Sequence, residues 1–138
     1  MPQDTILEIV KIVVAVIGGI GIAGYWSWRN HRLSEYRYLD QAYWNLLQAY
    51  SERPEFADKK LTDTYRESYR DKDASSYHAF AMRAHTVMET IYDVYGSRIP
   101  REWAQIFRYH TTLHAKWLED NPSANRPDYV AHCLGARA

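Results

Sequence analysis

The sequence predicts an all-α protein: one N-terminal transmembrane helix, extended as a stalk, followed by a small helical bundle. Three observations lead there. Residues 12–28 form an apolar run without a single charge. Neither Gly nor Pro occurs between Tyr25 and Arg53, and apolar residues recur there at steps of three and four. Beyond Pro54 the same spacing returns in segments bounded by turn and cap residues, with no alternating strand pattern.

The run from Ile12 to Trp28 reads IVVAVIGGIGIAGYWSW. As a helix it is roughly 25 Å long at about 1.5 Å per residue. With Ile6 to Lys11 added, it matches a hydrocarbon core of about 30 Å. Glu8 and Lys11 stand three apart and pair, while Lys11 reaches towards the interface. Tyr25, Trp26 and Trp28 form an aromatic belt, followed by Arg29, His31, Arg32 and Arg37. Tyr25, Trp26, Trp28, Arg29 and Arg32 are therefore the expected interfacial anchors. The opening Met-Pro-Gln-Asp-Thr carries no basic residue, which places the N-terminus outside and the C-terminal domain in the cytoplasm, at an inner membrane. A cleaved signal peptide needs a basic start and a small-residue cleavage site, whereas here the start is acidic and Tyr-Trp-Ser-Trp follows. Ala15, Gly19 and Ala23 form a stripe of small residues that suits close approach of another membrane helix. The expected layout is an anchor over 1–28, a stalk helix over 29–53 and a helical domain at the membrane surface over 54–138.

In the stalk, Leu33, Tyr36, Leu39, Tyr43, Leu46, Leu47 and Tyr50 share one helix face. Pro54 ends that helix and opens a second, over about 54–70. Its apolar stripe, Phe56, Leu61, Tyr65 and Tyr69, is thin, which predicts an outer position. A third helix is expected over about 75–95, capped by Asp73, Ser75 or Ser76 and stopped by Gly96. Pro100 opens a fourth, to about Glu119, with Trp103, Ile106, Phe107, His110, Leu113, His114 and Trp117 on one face. A last short helix is expected over 127–134.

Lys+Arg and Asp+Glu both number 17, so the formal charge is zero. A near-neutral chain with interspersed charges argues against nucleic acid as a partner. The single cysteine, Cys133, excludes an internal disulfide and a thiolate cage. Outside the Gly18–Gly24 run of the expected membrane segment, which opens no soluble helix, no glycine-rich phosphate loop occurs; neither a Gly-x-Ser-x-Gly elbow nor a His-Glu-x-x-His motif is present, and no cofactor is expected. The adjacent His132 and Cys133 do not face one another on a helix. His110 and His114, four apart on one face, are the clearest candidate metal ligands, with His85 and Glu89 as further donors from the third helix. Their place in the middle of an apolar stripe favours a packed seam bonded to tyrosine hydroxyls instead. Twelve Tyr against three Phe means many rings with polar tips that need partners.

Tyr43-Trp44-Asn45-Leu46-Leu47, Pro54-Glu55-Phe56 and the later Trp103 together resemble uncharacterised small bacterial single-pass membrane proteins with a short helical cytoplasmic domain. That resemblance implies a layout and no activity. The expected function is a non-enzymatic accessory or scaffold subunit of a larger membrane complex, in contact with lipid and with other transmembrane helices or a second copy. The alternatives are a metal-dependent membrane-associated enzyme centred on His110 and His114, and a self-associating signalling adaptor.

Overall fold

The computed structural model describes the backbone of residues 3–135 and the side chains of Lys11 and of residues 20–135. Every regular element among them is helical: α1 (Gln3–Glu52), a 3-10 turn (Pro54–Ala57), α2 (Lys59–Asp63), α3 (Tyr65–Ser68), α4 (Lys72–Tyr95), α5 (Arg101–Leu113), α6 (Ala115–Asp120), a second 3-10 turn (Pro122–Ala124) and α7 (Pro127–Gly135). The chain divides into two compact units, 1–38 and 39–138.

In the first unit α1 passes Asn30 without a break. Among the described residues, no helix is long and apolar enough to cross a membrane. The side chains of residues 12–19, the most apolar part of the expected span, lie outside the described ones. The membrane assignment therefore rests on the sequence. Ala15 and Gly19 of the small-residue stripe are among those undescribed side chains, and Ala23 is exposed. A Cβ built on Gly21 or Gly24 would meet nothing within 4 Å.

The second unit holds the core. Leu39 and Leu46 are fully buried, with Ala42, Tyr43, Ala49 and Tyr50 packed beside them. Residues 39–52 of the expected stalk are thus a core helix of this unit. The helix stops where Pro54 disfavours α geometry for Arg53, which takes φ −133° and ψ 69°.

The expected helix over 54–70 is three short pieces. Asp58 breaks it, its carboxylate accepting the Lys60 amide at 2.9 Å, and Thr64 breaks it again with φ −113° and ψ 35°. This segment is not an outer one, because Phe56, Thr62 and Tyr69 are buried. Tyr69 stacks on Tyr77 with ring centroids 4.6 Å apart and donates its hydroxyl to the Glu55 carbonyl at 2.7 Å. The short pieces let an otherwise thin stripe turn inward at each break.

α4 begins at Lys72, before the expected caps, so Asp73, Ser75 and Ser76 lie inside it. Asp71, at φ 54°, turns the chain into the helix without a side-chain cap, and Asp73 pairs with Arg53 at 2.8 Å. Tyr77, Ala81, Ala84, Met88 and Ile91 are buried along its length, at the spacing that aligns one helix face. Trp103, Phe107, Trp117, Leu118 and Tyr129 complete the same cluster.

The expected fourth helix is split at His114, which has φ −104° and ψ 22°. There the His85 imidazole of α4 reaches the His114 carbonyl at 3.1 Å. α7 is tied to α4 by one carboxylate: Glu89 accepts the Arg126 amide and the Asn125 side chain, each at 2.8 Å.

Gly96 closes α4 at φ 62° and its amide donates to the Tyr92 carbonyl at 2.7 Å. A Cβ there meets nothing within 4 Å, so substitution reports backbone strain without a steric clash. Gly96→Ala is expected to lower unfolding stability by about 1–3 kcal/mol. Denaturant unfolding followed by circular dichroism checks this, and the slope of the transition should not change.

Candidate functional site

Two groups of residues carry chemistry, one in each unit. In the second unit a chain of tyrosines and histidines runs through the core. The Tyr50 hydroxyl lies 2.9 Å from His110 Nδ1 and 2.7 Å from His114 Nε2. His114 Nδ1 lies 3.0 Å from the Tyr77 hydroxyl. Beside this chain, His85 Nδ1 meets the Tyr129 hydroxyl at 2.8 Å. The His85 ring is stacked on Trp117, with centroids 5.6 Å apart. Trp117 in turn donates its indole N–H to His78 Nδ1 at 3.1 Å. His85, His110 and His114 are all at most 2% exposed.

The electrostatics follow from burial. Desolvation lowers His110 to about 4, with the neighbouring His85 adding to it. Desolvation also takes His114 well below the usual imidazole range, helped by His85 and His110. Burial pushes the Tyr50, Tyr77 and Tyr129 hydroxyls far upward. At neutral pH, then, His110 and His114 are uncharged and these tyrosines protonated.

Counting protons restricts the pattern further. A carbonyl only accepts, so His85 Nε2 carries a proton, and in the neutral ring Nδ1 accepts from the Tyr129 hydroxyl. The longer chain has two consistent directions. In one, Tyr77 donates to His114, His114 to Tyr50 and Tyr50 to His110, leaving a proton on His110 Nε2. In the other every donor is reversed, and His110 Nε2 presents a lone pair. Either way His110 Nε2 is buried and has no hydrogen-bond partner among the described residues. The centre can shift protons along itself, but neutral imidazoles at this burial do not exchange them readily with water.

The proposed metal set is not assembled. His110 and His114 share one hydroxyl, His85 points at a backbone carbonyl and Tyr129, and Glu89 holds the start of α7. Among the described residues no three His, Cys, Asp or Glu side chains are placed to hold a metal ion. Cys133 is buried, and its proximity adds to the upward push on the Tyr129 hydroxyl. His132 packs on Tyr92, with centroids 4.8 Å apart. The tyrosine partners Tyr50, Tyr77 and Tyr129 were not identified singly by sequence. The signal was the excess of Tyr over Phe, together with histidines in an apolar stripe.

In the first unit, Tyr25, Trp26 and Trp28 lie more than half exposed, as do Ile20 and Ile22. Tyr25 contacts both indoles, at 6.4 Å from Trp26 and 6.3 Å from Trp28. The Arg29 guanidinium sits 5.3 Å over the Trp26 ring, and that of Arg32 lies 5.2 Å over Trp28. The five expected anchors therefore form one continuous aromatic–basic collar on α1.

Fold and sites together define an all-α protein with a neutral histidine–tyrosine core in one unit and an exposed aromatic–basic helix in the other. Comparison with protein-family models, with curated proteins and with solved structures gives no match.

Two outcomes test the buried centre. Tyr50→Phe keeps the ring and removes the hydroxyl that serves both His110 and His114. It should cost about 1–3 kcal/mol of stability, because buried ring nitrogens lose their partner. The second outcome is a pH dependence. The folded His110 value, about 4, lies below its unfolded value, so the unfolded chain binds more protons between the two. Stability from this group is full above about pH 6.5 and is lost progressively as pH falls towards 4. His110 alone accounts for about 3 kcal/mol over that window, and His114 acts in the same direction. Unfolding midpoints measured across the window should fall with pH, and the His110→Gln variant should show a shallower slope.

Proposed function

We propose that this protein is a non-enzymatic accessory or scaffold subunit of a larger membrane complex. In this reading a single N-terminal helix anchors it in an inner membrane, with the N-terminus outside and the second unit on the cytoplasmic side. The carrying observation is the contrast between the two groups of side chains. In the second unit the hydroxyls of Tyr50, Tyr77 and Tyr129 are bonded to buried histidines, while the apolar and aromatic residues from Ile20 to Trp28 face outward. Exposed Ile, Tyr and Trp beside arginines suit a bilayer boundary. Trp44 and Tyr109 on the second unit are 60% and 52% exposed. Such rings are enriched where proteins meet. The histidine–tyrosine centre holds the unit together through its own hydrogen bonds. The layout also agrees with the resemblance to small bacterial single-pass proteins.

Purification of the full chain in mild detergent tests the reading. A distinct protein is expected to co-purify in fixed ratio, and Gly19→Leu should weaken that association while membrane insertion persists, since Leu adds hydrophobicity and fills the space a partner helix needs. A chain recovered only as monomer, or only as its own oligomer, sinks the accessory assignment. A C-terminal reporter accessible from outside the cell would reverse the proposed orientation.

A further inference from the structure

We propose that residues 25–37 of α1 form a docking face for the headgroups of anionic phospholipids. This rests on the membrane reading above and names the partner of that helix. Three features carry it. The first is order along the helix. Exposed apolar residues Ile20 and Ile22 come first, then the Tyr25, Trp26 and Trp28 rings, then Arg29, Arg32 and Arg37. At about 1.5 Å per residue, Arg29 and Arg32 follow Trp28 within about 6 Å, the thickness of one headgroup layer. The second is facing. Tyr25, Arg29, Arg32 and Tyr36 recur at steps of four, three and four, so two guanidiniums lie between two aromatic rings on one side.

The third is the arrangement of charge. Arg29 and Arg32 are each held over an indole face, at 5.3 Å and 5.2 Å. That contact holds the guanidinium beside the ring, and a guanidinium can donate two parallel bonds to phosphate oxygens. Glu35, the one carboxylate of the stretch, pairs with His31 at 3.2 Å. Among the described residues no carboxylate pairs with Arg29, Arg32 or Arg37. Three arginines against one engaged carboxylate complement a negative surface. The apolar tier on the same helix selects a lipid over a soluble phosphate.

The test uses full-length protein reconstituted into phosphatidylcholine vesicles containing trace spin-labelled phosphatidylglycerol or spin-labelled phosphatidylcholine. The motionally restricted fraction of each label gives its relative association with the protein. Wild type should hold phosphatidylglycerol several-fold more strongly at low salt, and the preference should shrink as sodium chloride is added. Arg29→Gln with Arg32→Gln should reduce the preference by about fivefold or more. Arg29→Lys with Arg32→Lys should retain most of it, because the charge remains. Equal association of the two lipids in wild type overturns the proposal, and so does a preference that the Gln pair leaves unchanged. Flotation separates this from failure of the anchor: protein that floats with neither vesicle overturns the membrane reading itself, whereas floating protein without lipid preference overturns the docking face alone.

Discussion

A buried imidazole must find partners for both its nitrogens, and in the second unit that requirement meets at His114. Its ring lies between the Tyr50 hydroxyl of α1 and the Tyr77 hydroxyl of α4, and its backbone carbonyl receives His85 Nε2. Three helices are thereby held in register by one residue. The apolar cluster supplies most of the driving force for collapse, as area removed from water. It does not by itself specify one arrangement, since apolar contacts are tolerant of small shifts. Hydrogen bonds of 2.7–3.1 Å around a fully buried ring are not tolerant of them.

The same constraint explains features that look unrelated. α5 and α6 are separate helices because the chain bends at His114, where its carbonyl serves a side chain from α4 as well as the Leu118 amide. Tyr50 is placed at the end of α1, so the helix has to continue into the core instead of stopping at the unit boundary. His110 and His114 are neutral and Tyr50, Tyr77 and Tyr129 stay protonated because desolvation opposes charge on each of them. That is also why burial here reads as architecture, whereas Arg29, Arg32 and Arg37 are found on the outside of α1.

The first unit obeys a different rule. Apart from the half-buried Glu35 its described side chains are exposed, and from Ile20 to Arg32 the apolar Ile20 and Ile22 are followed by Tyr25, Trp26 and Trp28 and then by Arg29 and Arg32. No core contact accounts for that grading. The proposed function reads that order as a boundary between media of different polarity.

Much of the architecture was legible in the sequence. The stop at Gly96 ends α4, and Pro127 opens the last helix. The order from Ile20 and Ile22 through Tyr25, Trp26 and Trp28 to Arg29 and Arg32 is written in the sequence as well. Tertiary structure alone decided the rest. The segment 54–70 looked peripheral because its stripe is thin, yet breaks at Asp58 and Thr64 turn Phe56, Thr62 and Tyr69 inward. His85 and Glu89 looked like ligands beside His110 and His114, but His85 bonds a carbonyl and Glu89 caps α7. Spacing along a chain determines which side chains share a face. Which hydroxyl, carbonyl or amide meets each polar atom depends on contacts between residues such as Tyr50 and His114, 64 positions apart, and only the packed fold brings those together.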